Sequence, residues 1–176
     1  DANPDSFASP ATLAEVQAMI TAVNTAQANI LTQIGNEGDT PDTVNSVVTA
    51  AQLASLSGIT DVVAANEDAY QDYIDANPDS FASPATLAEV QAMITAVNTA
   101  QANILTQIGN EGDTPDTVNS VVTAAQLASL SGITDVVAAN EDAYQDYIDA
   151  NPDSFASPAT LAEVQAMITA VNTAQA

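Results

Sequence analysis

Apolar residues recur along the chain at alternating three- and four-residue steps: Leu13, Val16, Ile20, Val23, then past Gln27 to Ile30 and Ile34. That spacing lays one stripe down a helix and predicts a long helix from Ser9 or Thr12 to Ile34, packed on neighbours. Thr12 and Glu15 form a T-x-x-E capping box, Ser9-Pro10 offers an earlier start, and Gly35 and Gly38 end the run. At about 1.5 Å per residue such a helix is roughly 30–38 Å long, enough to act as a beam. Gln27 breaks the stripe, either as a register-setting polar residue or as one at the edge of the core.

Three shorter helices are expected next. Thr40-Pro41-Asp42 carries N-cap, proline and acidic-first-turn signals, and Val44, Val47 and Val48 give that segment an apolar face. The register slips at Thr49, where Thr49-Ala50-Ala51-Gln52 is a second capping box with Val48 and Leu53 placed as a hydrophobic staple. This helix carries Leu53 and Leu56 and stops at Gly58. A final helix starts near Thr60 or Asn66, the latter favoured by Glu67 and Asp68 at its positive end. Its apolar side holds Tyr70, Tyr73 and Ile74, which read as core residues with wet hydroxyls on the tyrosines. No segment sustains a period-two alternation, so a sheet is not expected.

The whole pattern then repeats. DANPDSFASPATLAEVQAMITAVNTAQ begins at Asp1, at Asp75 and at Asp149, so the period is 74 residues, and residues 75–148 reproduce 1–74 without a change. The expected units are residues 1–74, 75–148 and a partial third copy, 149–176, which reads as the first part of a longer array's next unit. The fold class is therefore all-α: tandem helical-bundle modules, one long and three shorter helices each, arranged as an elongated rod.

Composition narrows the function classes. The 176 residues include 23 acids and no Lys, Arg, His, Cys or Trp. A surface without cations does not neutralise phosphates, which argues against nucleic-acid binding. The same lack removes docking on anionic lipid, and no apolar run reaches the ~18 residues of a membrane span. Imidazole bases, thiolates and the usual zinc ligands are missing too. Ser and Thr nucleophiles have no base to activate them. Paired carboxylates of the glycosidase kind need a cleft and aromatic platforms, whereas aromatic residues are only 4% here. The chain reads as no enzyme, with no catalytic residues and no required cofactor.

The segments TLAEVQAMITAVN and VTAAQLASLSGITDVVAANEDAY resemble helical tandem repeats, including GA-like modules, in the stalks of giant Gram-negative surface adhesins. That resemblance implies an extracellular, cell-surface location, a one-step export route and a stalk that projects a binding tip. It supplies no catalytic residues.

The best candidate site is the junction between copies. Asp75, Asn77 and Asp79 occupy positions one, three and five of an EF-hand-like loop, with the Phe81 carbonyl at seven and Ser83 at nine; Asp149, Asn151, Asp153 and Ser157 are the equivalents in the next copy. Against calcium, Ser80 replaces the turn glycine, Pro78 stiffens the loop, Thr86 stands where a bidentate Glu belongs, and Glu89 comes three residues late. The competing reading is a turn in which Asp and Asn bond backbone amides before a helix cap. The loop Asn110-Glu111-Gly112-Asp113-Thr114-Pro115-Asp116 is a second oxygen-rich patch that helix termination and capping explain. Thr21 and Thr32, eleven residues apart, have the spacing of an ice-binding helix, but a single pair is better explained by chance.

These readings converge on a non-enzymatic stalk or spacer of a secreted adhesin, its partners being neighbouring repeats of the same chain. Ten acids per 74-residue unit repel across about a Debye length, ~8 Å at physiological salt, and discourage lateral clumping. The alternatives are a protomer that self-associates into an extracellular or biofilm-matrix fibre through helix packing between chains, and a helical module that binds a ligand.

Overall fold

A computed structural model describes residues 7–37, 46–111 and 120–176. The described residues are helical, without strands: α1 (Leu13–Gly35), α2 (Ala50–Ser55), α3 (Glu67–Ala76), α4 (Leu87–Gly109), α5 (Ala124–Ser129), α6 (Glu141–Ala150) and α7 (Leu161–Gln175). Short 3-10 turns at Ala64–Asn66 and Pro78–Ser80, and again at Ala138–Asn140 and Pro152–Ser154, flank α3 and α6. The all-α expectation holds, and the α1–α3 pattern recurs one sequence period later.

The caps set the helix starts. Thr12, Thr86 and Thr160 each accept from the N–H of the third helical residue, while Glu15, Glu89 and Glu163 reach back to the cap. Thr49 and Gln52 do the same for α2, with Val48 and Leu53 fully buried on either side of the cap. Gly58, at φ +93°, turns the chain after α2 in a conformation that costs a residue with a Cβ.

Two short-helix expectations change. Ser46–Val48 form no helix ahead of the extended Thr49 cap of α2, and Ser46 Oγ accepts from the Val48 N–H at 3.3 Å, so this part of the expected second helix is not helical. Its remainder, including Val44, lies outside the described residues. The final helix starts at Glu67, after a 3-10 turn, and Asn66 at its cap position makes no capping bond. Its amide is taken by Asn98 instead, at 2.8 Å.

Two apolar cores form, each drawing on two successive copies of the sequence. The first gathers Ile30 and Ile34 of α1, Leu53 of α2, Tyr70 and Ile74 of α3, Phe81 and Ala85 of the connecting loop, and Val90, Met93, Ile94 and Val97 of α4. The second gathers Ile104 and Ile108 of α4, Leu127, Tyr144 and Ile148, and Val164, Met167, Ile168 and Val171 of α7. The N-terminal half of α4 therefore closes one core and its C-terminal half opens the next. The sequence boundaries near 74 and 148 fall inside α3 and α6. No described helix is long and apolar enough to cross a membrane.

Candidate functional site

The feature that repeats with chemical detail is the junction where one long helix hands over to the next. Its first part is a close crossing. The loop at Ala82–Ala85 passes over the end of α1, where the Ala85 N–H donates to Leu31 O at 3.0 Å. A Cβ on Gly35 would run into Ala82 O and stand 2.6 Å from Ala85 N, so only glycine admits this approach. Gly109 meets Ala156 and Ala159 in the same way, with Ala159 N–H donating to Leu105 O at 3.0 Å. Ser83 Oγ adds a bond to Asn36 Oδ1 at 2.8 Å, and Ser157 Oγ repeats it to Asn110 Oδ1.

The second part is a row of amides on the long helix. Gln91 accepts from Thr60 N–H at 2.9 Å and donates to Thr60 O at 3.3 Å. Asn98 Nδ2 donates to Asp61 O at 2.8 Å, while its Oδ1 accepts from Tyr70 OH at 2.7 Å and from Asn66 Nδ2. Asp61 holds φ 60°, and Tyr70 is fully buried with its hydroxyl also accepting from Val63 N–H. One asparagine thus holds a left-handed loop residue and a core tyrosine in place. Three residues on, Gln101 turns to the next core: its Nε2 donates to Ser129 O at 2.7 Å and its Oε1 accepts from Ser131 N–H at 3.0 Å, tying down the end of α5. Gln27 makes the corresponding reach to Ser55 O at 3.4 Å. The polar break in the apolar stripe is the point at which the helix passes from one core to the other. Asn98→Ala leaves the buried Tyr70 hydroxyl and Asn66 amide short of a partner and is expected to cost about 1–3 kcal/mol in chemical unfolding.

The residues proposed from the EF-hand-like spacing are placed apart from one another in role. Asp75 lies inside the last turn of α3, half-buried, and Asn77 is the residue after it, donating from Nδ2 to Tyr73 O at 2.8 Å. Asp79 sits exposed in the 3-10 turn, and Ser83 is bonded to Asn36. Asp149, Asn151, Asp153 and Ser157 repeat this arrangement, with Asn151 Nδ2 donating to Tyr147 O at 2.8 Å. Among the described residues no three acidic side chains gather as a metal cluster. Most of the second oxygen-rich patch, residues 112–116, lies outside the described residues. Thr21 and Thr32 bond their own helix, to Gln17 O and Ala28 O. Tyr73 stacks edge-on against Phe81, 6.5 Å between centroids, closing the outer side of the junction.

Glu89 fastens the loop to the helix start. Its carboxylate accepts from the Thr86 N–H at 2.8 Å and from the Ala82 N–H at 3.1 Å. These bonds, that to Thr86 first, hold its carboxyl below the usual glutamate range, and Glu15 and Glu163 are lowered likewise. A carboxyl depressed on folding stabilises the fold above its unfolded pKa of about 4.3, and that contribution is lost as pH falls through the lower folded value. Acid is therefore expected to fray the start of α4 and release the Ala82 amide, read as its NMR shift. Glu89→Gln, which keeps a T-x-x-Q box, removes that pH response.

Sequence comparison adds one finding. The RtxA repeat matches the chain at residues 25–40 and again at 99–114. The match lies just beyond TLAEVQAMITAVN and takes in the C-terminal half of each long helix, including Gln27, Ile30, Leu31, Ile34 and Gly35, the residues that build the junction. Comparison with curated proteins and with solved structures finds no match. The chain is a helical repeat protein in which one segment of each complete 74-residue copy matches the RtxA repeat, a repeat of large RTX-type bacterial surface proteins.

Proposed function

We propose that the chain is a non-enzymatic stalk segment of a secreted, cell-surface adhesin, holding a binding region away from the bacterium. The observation that carries this reading is the division of α4 between two cores. A bead on a flexible string closes its core within its own sequence, so that a pull or a thermal bend is absorbed by the linker. Here the connection between cores is itself a helix, in which each added residue extends the structure by about 1.5 Å. The packing unit on this reading runs from the middle of one long helix to the middle of the next, and it is offset from the sequence period. Each added copy contributes a fixed length, and copy number sets reach. Neighbouring repeats are the partners, and the ten acids of each copy keep separate rods apart.

Small-angle scattering on proteins extended by whole 74-residue copies tests the proposal. The expected result is a maximum dimension that grows by the same increment with every copy. Growth with the cube root of mass, as for a compact globule, would reject a stalk.

A further inference from the structure

We infer that acid converts this chain from a self-repelling molecule into a self-associating one while its fold is still intact, and that further acid does not disperse it again. The chain has 23 carboxylates and no Lys, Arg or His, so no acid on any element faces a side-chain cation. A protein with both signs of charge passes through zero as pH falls and becomes a polycation, which keeps copies apart once more. Here protonation only removes charge. An exposed carboxylate takes up its proton near pH ~4, and well below that a chain of this composition has almost no side-chain charge left. The inference rests on charge and holds whether or not the chain is a stalk.

Two features of the fold decide what remains when the charge has gone. The first is where the charge lies. Six acids, Asp61, Glu67, Asp68, Asp72, Asp75 and Asp79, fall in the stretch that holds α3 and the turns beside it, and their counterparts recur from Asp135 to Asp153. The long helix that follows, α4, holds one, Glu89, which is engaged in its cap. Ala92, Thr95, Ala96, Thr99 and Ala100 stand exposed on α4 without a charge, and the hydroxyls of Thr95 and Thr99 donate to Gln91 O and Thr95 O of their own helix. Aliphatic side chains are exposed in both copies too, Val47 by 67% and Val121 by 69%. Ionised acids hold such surfaces apart; once they are neutral, burying apolar surface between copies is favourable. The second feature is the order of protonation. Glu15, Glu89 and Glu163 are held below the usual glutamate range, by the Thr12, Thr86 and Thr160 amides first and also by those of Ala8, Ala82 and Ala156. A carboxyl of that kind keeps its charge, and its contribution to the fold, until pH falls through its lower folded value. The caps therefore outlast the repulsion, which leaves a range of pH in which the chain is folded and nearly uncharged.

The experiment follows mass by light scattering and helix content by far-UV circular dichroism on the full chain, from neutral pH to about pH 2 at physiological salt. A single chain of 17.9 kDa is expected at neutral pH. Mass is expected to rise more than about tenfold as pH falls through ~4, to stay high at lower pH, and to fall back on neutralisation, with the helix signal intact at the onset. The combined substitutions Ala92→Lys, Thr95→Lys, Ala96→Lys, Thr99→Lys and Ala100→Lys make the chain cationic in acid and are expected to keep it single at about pH 2. Gln in place of Lys at the same five positions changes the surface without adding charge, and that protein is expected to associate as the wild type does. Both residues suit an exposed helix. A wild type that stays single at every pH, or a helix signal lost before mass rises, overturns the inference. So does a lysine variant that associates like the wild type, or a glutamine variant that stays single.

Discussion

Gly35→Ala is expected to destabilise the first core by about 3 kcal/mol, the upper end of what an inserted methyl costs in a packed site. The sign is the informative part. Within a helix, glycine to alanine ordinarily stabilises by roughly 0.5–1 kcal/mol, because the unfolded chain has less freedom to lose. Gly35 is the last residue of α1 and its helical conformation suits alanine. What opposes the change is backbone: the Cβ meets Ala82 O and Ala85 N, neither of which has a flexible end to move aside. Relief requires the Ala82–Ala85 loop to lift, which breaks the Ala85 N–H bond to Leu31 O and disturbs Ala85, which is 3% exposed. Gly58→Ala is the control. Nothing lies within 4 Å of its Cβ position, so only the positive φ is paid for, at about 1 kcal/mol. Urea unfolding of the two variants separates the contributions of contact and of conformation.

Ala100→Pro is expected to cost about 3 kcal/mol or more and to split one melting transition into two. Ala100 is exposed and touches neither core, so the substitution removes no apolar contact. It removes the helical hydrogen bond to Ala96 O and kinks α4 between Val97, which closes the first core, and Gln101, which latches the second. The equivalent change in α1, Ala26→Pro, is the comparison, since the N-terminal half of α1 seals no core within the chain. Its cost is expected to be clearly smaller, although the local sequence is identical. Calorimetry of both proteins separates a shared helix from one that merely links domains.

Much of this architecture was legible in the residues. The capping boxes at Thr12–Glu15 and Thr49–Gln52 and the three-four spacing of the long helix fix local structure by short-range physics, and all of them form. The final helix start was ambiguous because Asn66 has two uses. As a cap it would serve its own helix, but the fold places Asn98 beside it, and a contact 32 residues distant leaves no local trace. Ser46–Val48 were expected to be helical because Val44, Val47 and Val48 have helical spacing; the extended Thr49 cap of α2 takes precedence there.

The division of the long helix was harder to read. Its stripe is continuous except at Gln27, and a stripe does not say whether one partner or two lie along it. Gln91 and Asn98 are seven residues apart on the edge of the stripe, a signal available in the sequence but common among polar edges. Gly35 reads as a helix terminator from sequence alone. Its role as the place where two backbones touch emerges only when the next copy of the chain folds over it.

The central claim is that α4 is one helix serving two cores, and hydrogen exchange read residue by residue by NMR tests it most directly. Ala100, Gln101 and Ala102 lie between the cores, and their amides are predicted to be protected to the same degree as those of Ile94 and Ile104 on either side. Ala26, Gln27 and Ala28, the sequence-identical counterparts of Ala100–Ala102 in α1, are predicted to exchange faster, because only the C-terminal side of that stretch, from Ile30, packs in a core. Rapid exchange at Ala100–Ala102 with both flanks still protected would contradict the account, because it would make the middle of α4 a hinge between independent beads.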